Sequence, residues 1–278
     1  MRVHFLGVRG STPAPGADFL RYGGHTSCVA IAHDGKAPSL ILDAGTGIRR
    51  LPELMDGEAF SGSLLLTHLH WDHVHGLPFC SATDRDDART SLFIPDQGDG
   101  SDPLSVLARG MSPPHFPVRP EELRGEWSFA AMTPGDWELE GFRVRVEDVP
   151  HKGGRTFGFR VSDDSSTVTY VPDHCPTALG EGPDGLGEYH PAALALCDGS
   201  DVLIHDAQLV REELAAEAYF GHAAAEYAVQ LAERCDVARV ALFHHKPDRT
   251  DDELDIIAKR FASSPGVTVV TQSTVLEL

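Results

Sequence analysis

The hydrophobic positions of the chain fall mostly into short runs that are separated by Gly, Pro and Asp. Apolar runs of four to six residues between such residues are typical of β-strands. A Gly-rich turn at Asp43–Gly47 leads into a predicted helix at Ile48–Met55, and a second short helix is predicted at Pro103–Arg109. The strands predicted in this part of the chain are Val3–Val8, Cys28–Ala32, Ser39–Leu42, Ser63–Thr67, Ser91–Ile94, Phe142–Val149, Phe157–Val161 and Thr167–Val171.

The last third of the chain alternates between helical and strand patterns. Thr250, followed three residues later by Glu253, predicts the start of a helix with a capping box. Two halves that each supply strands and then helices predict one α/β domain over residues 1–278, an αββα sandwich of two packed sheets. The elements predicted here are strands at Val202–Ile204, Ala238–Phe243, Val267–Val270 and Thr274–Leu278, and helices at Leu209–Ala218, Ala223–Arg234 and Asp251–Phe261.

Residues 80–125 differ from the rest of the chain because Asp, Pro, Gly and Ser dominate them. They contain too few apolar residues to form a core of their own. We therefore expect this segment to be a surface excursion over the site, and not a separate domain. Met111 and Phe116 within it are expected either to cover the site or to pack against the body of the protein.

The charge of the chain is strongly negative, with 23 Lys and Arg against 42 Asp and Glu and a formal net charge of −19. Proteins that grip long nucleic acid neutralise phosphates with many cationic side chains. Binding to long nucleic acid or to an anionic membrane surface is therefore disfavoured. The content of 41% hydrophobic and 23% charged residues is typical of a globular protein.

No apolar segment approaches the roughly 18 residues of a membrane-spanning helix. The N-terminal apolar run is interrupted at Gly7, which makes it too short for a signal peptide. Five widely spaced Cys without a CxxC pair indicate reduced thiols, and neither a disulfide framework nor a zinc ribbon. We expect a soluble, cytoplasmic protein.

The densest chemical feature is the segment that follows the predicted strand Ser63–Thr67. His68, His70, Asp72 and His73 lie within six residues there. In an extended chain, residues two apart point the same way, so the imidazoles of His68 and His70 can bind one ion. If the chain then turns, Asp72 and His73 can face a second position beside that ion. A divalent ion needs three or four N or O ligands at about 2.0–2.2 Å. The alternative, a polar surface loop that happens to be rich in His, is much less consistent with this density.

Further metal ligands would have to come from distant parts of the chain. Isolated ligand-type residues follow predicted strands at His151, at Asp173, and at either His244 or His245. Each of these, taken singly, is compatible with an ordinary polar residue at the end of a strand. Together with the dense cluster they predict a metal site at one edge of a sheet.

His68–His73 form the sequence HxHxDH, and this motif identifies a family that the chain resembles. It is the signature of the metallo-β-lactamase superfamily. Within that superfamily the chain resembles the phosphodiesterase-like branch, which includes transfer-RNA-processing ribonuclease Z and cyclic-nucleotide and phosphonate-pathway phosphodiesterases. The resemblance runs nearly end to end, through Val3–Ser11, Tyr22–Cys28, Leu42–Gly47 and Leu242–Pro247.

The resemblance implies ligands for two divalent ions. His244 fits the last ligand of the family better than His245 does, and Asp43 is the best candidate to support the ligand imidazoles. His and Asp ligands without Cys suit Zn, with Mn or Fe as alternatives. The implied ligands are His68, His70 and His151 for one ion, Asp72, His73 and His244 for the other, and Asp173 between both.

Two more segments resemble ribonuclease Z, in which an acid and a His act together near the scissile phosphate. The corresponding residues are Asp206, where the relatives have Glu, and His222. Ala223 and Ala224 stand where the relatives carry Ser and Thr, so hydroxyl groups of that pattern are absent. His222 is otherwise simply a residue next to a helix N-cap.

The expected mechanism follows from the chemistry of paired ions, which lower the pKa of a bridging water. We expect the bridging hydroxide to attack phosphorus with Asp72 orienting it. His222, held by Asp206, is expected to protonate the leaving alkoxide as a general acid.

Three functions are compatible with the sequence. The first is a metal-dependent phosphodiesterase that acts on a small molecule, such as a cyclic nucleotide or a nucleotide-like diester. The second is a lactone or carboxylic ester hydrolase with the same metal site, because one fold supports several chemistries. The third is a metal-binding sensor without turnover. Relatives often dimerise, so a homodimer is one assembly that the chain could form.

Overall fold

Two seven-stranded β-sheets lie at the centre of the computed structural model, which describes residues 1–278. In the first sheet the strands are ordered β14-β1-β2-β3-β4-β5-β6, and in the second β13-β12-β11-β10-β9-β8-β7. The first sheet contains β1 (Arg2–Gly7), β2 (Cys28–Ala32), β3 (Leu40–Leu42), β4 (Ser61–Leu65), β5 (Arg89–Pro95), β6 (Glu126–Met132) and β14 (Val275–Glu277). The second contains β7 (Gly135–Leu139), β8 (Phe142–Asp148), β9 (Phe157–Ser162), β10 (Thr167–Val171), β11 (Val202–Asp206), β12 (Arg239–Phe243) and β13 (Val267–Val269).

Helices cover the outer faces of the two sheets. The chain has six α-helices and several short 3₁₀ segments, of which the longest is Thr46–Leu54. The α-helices are α1 (Trp71–Val74), α2 (Pro103–Ala108), α3 (Pro191–Cys197), α4 (Leu214–Glu217), α5 (Ala225–Arg234) and α6 (Asp251–Arg260). None of these helices combines the length and the hydropathy needed to cross a membrane.

A cluster of large apolar side chains fills the space between the two sheets. Phe5 and Ile31 of the first sheet pack in one cluster with Phe159, Tyr170 and Phe243 of the second. These side chains are fully buried, and each full burial of a large apolar side chain contributes about 1.5–3 kcal/mol to folding. Separate clusters lie beneath the helices on the outer faces, so the chain forms the predicted αββα sandwich.

The direction of the strands determines where the site forms. Strands β3 to β6 are parallel in the first sheet, and β10 to β13 are parallel in the second. The carboxyl ends of parallel strands meet at one edge, where ligand-binding residues collect in open sheets. Strand β8 runs in the same direction as β10, because both are antiparallel to β9.

Most predicted elements are present, and the differences have local causes. The helix expected at Ile48–Met55 is a 3₁₀ helix that contains Pro52, a residue without the N–H group of a helical hydrogen bond. The helix expected at Leu209–Ala218 is broken into the short α4 and two 3₁₀ turns. Strands β6 and β7 and helices α1 and α3 are not among the predicted elements, although β7 alternates polar and partly buried positions.

The segment 80–125 lies only partly on the surface. Strand β5, within it, is paired on both sides by β4 and β6 in the first sheet. Its Leu92 and Ile94 are buried in the cluster beneath the outer face of that sheet. The rest of the segment, with α2, packs beside β6 and has mostly polar exposed residues.

Candidate metal centre

Five strand ends bring the predicted site residues to one edge of the sandwich. His68 follows β4, His151 follows β8, and Asp173 follows β10. Asp206 is the last residue of β11, and His244 comes directly after β12. Helix α1 starts at Trp71 and carries Asp72 and His73 back toward the same edge.

Asp173 lies at the centre of the cluster, with a different set of imidazoles at each of its carboxylate oxygens. Its Oδ2 atom is 3.3 Å from Nε2 of His151 and 3.7 Å from Nε2 of His68. Its Oδ1 atom is 3.0 Å from Nε2 of His73 and 3.1 Å from Nε2 of His244. One carboxylate therefore faces two separate groups of nitrogen atoms.

The remaining two candidates complete these groups. Nδ1 of His70 lies 3.4 Å from Nε2 of His151. Oδ2 of Asp72 lies 3.1 Å from Nε2 of His244 and 3.3 Å from Nε2 of His73. The structure thus brings together all seven side chains that the sequence singled out as ligands.

The spacing of these atoms fits the chemistry of divalent ions. Ligand atoms about 2.0–2.1 Å from one ion in a tetrahedron lie about 3.3 Å from each other. Nε2 of His73 and Nε2 of His244 are 3.3 Å apart, which is the separation expected for two ligand atoms of one ion. Nε2 of His68 and Oδ1 of Asp173 are buried without a hydrogen-bond partner. Buried polar atoms rarely lack partners, so an ion is the natural partner of these two.

Asp43 holds the far side of this cluster. Its Oδ2 atom accepts hydrogen bonds from Nδ1 of His73 at 2.8 Å and from the hydroxyl of Tyr170 at 2.9 Å. Its Oδ1 atom accepts from the backbone N–H of Thr67 at 2.7 Å. Asp43 itself has a left-handed backbone with φ of 61°, a conformation that Asp and Asn adopt more readily than most residues.

The partners of the ring nitrogens define the tautomers of two further His. Oγ1 of Thr67 donates to Asp43, so at 3.1 Å it accepts from Nδ1 of His68. Nδ1 of His151 donates to the carbonyl of Gly221 at 2.8 Å. Nε2 of each ring then carries no proton and offers its lone pair to the cluster.

His244 and its neighbour His245 point in different directions. His244 has a φ of 58°, and this left-handed conformation turns its ring into the cluster. His245 donates from Nε2 to the carbonyl of Val270 at 2.8 Å and lies in the interior. Burial lowers the pKa of His245 to about 3, and this ring faces away from the centre.

Glycine allows the backbone to approach the site closely at two points. A Cβ atom on Gly10 would lie 2.4 Å from Cε1 of His244. A Cβ atom on Gly45 would lie 2.1 Å from the carbonyl oxygen of Asp72, so this glycine lets the turn after β3 pack directly against α1. Larger residues would displace the side chains that form the cluster.

The pKa values of the cluster reflect its concentration of carboxylates. Burial alone would lower the pKa of His73, but Asp72, Asp173 and Asp43 raise it well above its ordinary value. Burial would raise the pKa of Asp173, but His244, His73 and other imidazoles hold it well below its usual range. The arrangement favours positive charge at this place, which a divalent cation provides.

Asp206 and His222 form a hydrogen-bonded pair beside the cluster. Nδ1 of His222 donates to Oδ2 of Asp206 at 3.0 Å, and the same nitrogen lies 4.0 Å from Asp173. The backbone N–H groups of His174 and Gln208 also donate to Asp206, which keeps its carboxylate fixed. Burial alone would lower the pKa of His222, but the charge and hydrogen bond of Asp206 raise it to about 9.

The cluster opens into a cavity of about 430 Å³. The sequence did not single out Ser11, Gln208 or Phe220, which line the cavity. It also did not identify Gly221 and Tyr170, which position His151 and Asp43 by hydrogen bonds. The backbone N–H of Ser11 donates to Oδ2 of Asp72 at 2.6 Å. No local pattern marks a backbone group for such a role, although Ser11 lies in the conspicuous segment Val3–Ser11.

Comparison with known proteins places this geometry in context. Residues 40–245 match the family described as "Beta-lactamase superfamily domain". A ribonuclease Z of Natronomonas pharaonis is 25% identical over 305 aligned positions, which cover 95% of this chain and 89% of that protein. Two solved structures resemble the chain with a TM-score of 0.71 and 18% identity. They are the metallo-β-lactamase fold protein YhfI from Bacillus subtilis, with 99% of both chains covered, and a diphosphatase from the PhnP family, with 100% of this chain and 97% of that one covered.

Proposed function

Since the chain belongs to the metallo-β-lactamase superfamily and is a metal-dependent hydrolase, we propose that it cleaves a phosphodiester at the cluster around Asp173. The observation that carries this proposal is the pair Asp206–His222 at the edge of the cluster. A buried His that is fixed by a carboxylate next to a metal centre is suited to protonate a leaving oxygen. Hydrolysis of a diester needs such a proton because an alkoxide is a poor leaving group.

The residues present fit two divalent ions. His68, His70 and His151 would hold one ion, Asp72, His73 and His244 the other, and Asp173 would bind both through its two oxygens. When bound, such ions supply positive charge that stabilises the reacting phosphate and lower the pKa of water. Zinc is the metal that we propose, because N and O ligands at tetrahedral spacing suit it; Mn and Fe accept the same ligands.

The side chains of this protein contribute three further functions. Asp72, fixed by the N–H of Ser11, orients the attacking water. His222 transfers the proton of Nε2 to the leaving oxygen as the bond from phosphorus to that oxygen breaks. Asp206 keeps the imidazole in this orientation and stabilises its protonated form before the transfer.

The substrate that we favour is a nucleotide-type diester of small size. The formal charge of −19 opposes the approach of a long polyanion, and segment 80–125 is not a basic arm. The relatives named ribonuclease Z argue against this limit on size, so cleavage of an RNA is the second candidate. The homodimer and the cytoplasmic location remain predictions from the sequence.

Turnover by the metal-loaded protein tests the proposal. We expect hydrolysis of bis-p-nitrophenyl phosphate and of a dinucleotide, and no comparable hydrolysis of an acyl-homoserine lactone. A precursor RNA with a 3′ extension, offered in parallel, distinguishes the second candidate from the first. Lactone hydrolysis without phosphodiester hydrolysis would show that the centre is an ester hydrolase, and metal binding without either activity would show that it is a sensor.

A further inference from the structure

A second, larger groove lies directly beside the cavity of the metal centre. Its volume is about 710 Å³, within the range of about 300–1,000 Å³ that is typical of small-molecule sites. Trp71, between His70 and Asp72 in the sequence, lines both the groove and the cavity. A molecule that reacts at the metal centre can therefore extend over Trp71 into this groove.

Three of the thirteen residues that line the groove are Trp or Phe. The indole of Trp71 is 71% exposed and stacks on the ring of His75, with centroids 5.4 Å apart and planes at 18°. Phe79 is 57% exposed and meets Phe116 edge to face at 5.8 Å. Exposed aromatic side chains that are gathered in one concave surface mark a binding site more often than chance. Flat aromatic partners stack well on such surfaces.

The charge of the groove is opposite to that of the chain as a whole. None of its lining residues is Asp or Glu, although the formal charge of the chain is −19. Arg49 lines the groove, is exposed, and forms neither a salt bridge nor a side-chain hydrogen bond. The imidazoles of His75 and His115 lie in the same walls, also without hydrogen-bond partners. An unpaired guanidinium is suited to bind a phosphate.

We propose that this groove binds one nucleotide unit of the substrate, with its base among Trp71, Phe79 and Phe116 and its charged part toward Arg49. The proposal rests on the function proposed above and adds a specificity subsite to it. An aliphatic or lipid chain would fill the apolar walls but would leave Arg49 without a partner. A nucleotide satisfies both the aromatic and the cationic parts of the groove.

Binding of two probes to the zinc-loaded protein tests this subsite independently of turnover. The probes are adenosine 5′-monophosphate and inorganic phosphate, and calorimetry gives the dissociation constant of each. We expect the nucleotide to bind about tenfold or more tightly than phosphate, because stacking of one base contributes about 1–3 kcal/mol. Phe116→Ala should reduce this preference about five- to tenfold, and Arg49→Gln should weaken the binding of the nucleotide itself about five- to tenfold.

The matched control is Arg124→Gln, which removes an exposed guanidinium that pairs with Asp86 and does not line the groove. It should leave the preference for the nucleotide unchanged. Zinc content, measured for every variant, separates a lost subsite from a damaged metal centre. A nucleotide that binds no better than phosphate, or a nucleotide affinity that Arg49→Gln and Phe116→Ala leave intact, would overturn the subsite.

The outcomes also separate this inference from the proposed function. Hydrolysis of bis-p-nitrophenyl phosphate without any preference for the nucleotide would overturn the subsite and leave the function standing. Tight nucleotide binding that depends on Arg49, without hydrolysis of any diester, would support the subsite and overturn the function. A dinucleotide and a short RNA with the same terminal nucleotides are each tested as competitors of adenosine 5′-monophosphate. The tighter competitor identifies which of the two classes supplies the nucleotide unit.

Discussion

Nδ1 of His73 donates a hydrogen bond of 2.8 Å to Oδ2 of Asp43, on the side of the imidazole away from Asp173. The opposite nitrogen, Nε2, lies 3.0 Å from Asp173. Asp43 thereby determines both the tautomer and the direction of a predicted metal ligand. The same carboxylate also accepts from Thr67 and Tyr170, so it connects both sheets to the centre.

Asp43→Asn should weaken metal binding about 10- to 100-fold, the range measured when such supporting carboxylates are removed. Asn keeps the shape of the side chain and tolerates the left-handed backbone of this position. The amide of Asn lacks the negative charge of the Asp43 carboxylate, which makes the imidazole of His73 a stronger metal ligand. Competition with a chromophoric chelator measures the affinity for zinc.

The matched control for this change is Tyr170→Phe. It removes one donor to Asp43 and keeps the carboxylate, so the free energy of unfolding should fall by about 1 kcal/mol while zinc affinity changes little. Equal zinc affinities for the wild type and Asp43→Asn would show that Asp43 has no role in metal binding.

Much of this arrangement could be predicted from the sequence, because the signals are local. The apolar run before His68 and the density of His and Asp after it indicate both a buried strand and a metal site. The rule that parallel strands end at one edge explains why His151, Asp173 and His244 come near that cluster. The capping box at Thr250 is also local, and Glu253 accepts from the Thr250 N–H at 2.7 Å as predicted.

The features that could not be predicted depend on contacts between distant residues. Tyr170 is 127 residues from the Asp43 that it contacts, and Gly221 is 70 residues from His151. The direction of His244 depends on its left-handed backbone, which no neighbouring residue type signals. Strand β6 was missed because its polar–apolar alternation covers only Glu126–Phe129 and ends at two alanines; three of its residues are half-buried, three are exposed and only Met132 is buried.

The stoichiometry of metal binding tests the division of ligands around Asp173. The wild-type protein should hold two zinc ions per chain after dialysis, because the two carboxylate oxygens face separate groups of imidazoles. His151→Ala and His244→Ala should each retain about one ion. Asp173→Ala should weaken both sites.

Metal content by atomic emission checks this prediction. His33→Ala is the control, because that ring stacks on Phe142 and donates from Nε2 to the carbonyl of Glu140 outside the centre. It should keep two ions. A wild-type chain that binds a single ion, unaffected by His244→Ala, would contradict the proposed second site.

The role of His222 as a general acid predicts a dependence on the leaving group. His222→Asn and Asp206→Asn should lower kcat by about 10²–10⁴ for a dinucleotide, whose alkoxide leaving group needs a proton. For bis-p-nitrophenyl phosphate the loss should be much smaller, because p-nitrophenolate leaves without protonation. The ratio of the two losses separates acid catalysis from a general disturbance of the centre.

Zinc content of each variant provides the control for that comparison. Asn at position 222 keeps a polar side chain of similar width, and His222 is not among the seven predicted ligands. Two bound ions with equal losses on both substrates would exclude proton donation by His222. A loss confined to the dinucleotide would support it.

Acid should destabilise the metal-free protein because of its buried imidazoles. Burial holds the pKa of His245 at about 3, whereas in the unfolded chain it returns to about 6.5. Below about pH 6.5 the unfolded chain therefore binds a proton that the folded chain excludes, and the free energy of unfolding falls by up to about 1.4 kcal/mol per pH unit.

The variant His245→Gln tests this prediction, because it removes the titrating group and keeps a donor for the carbonyl of Val270. Urea unfolding at about pH 7, 6 and 5 should then give a slope against pH that is smaller by about one proton. His115→Gln, a change at an exposed side chain, serves as the matched control, and equal slopes in His245→Gln and the parent protein would contradict the prediction.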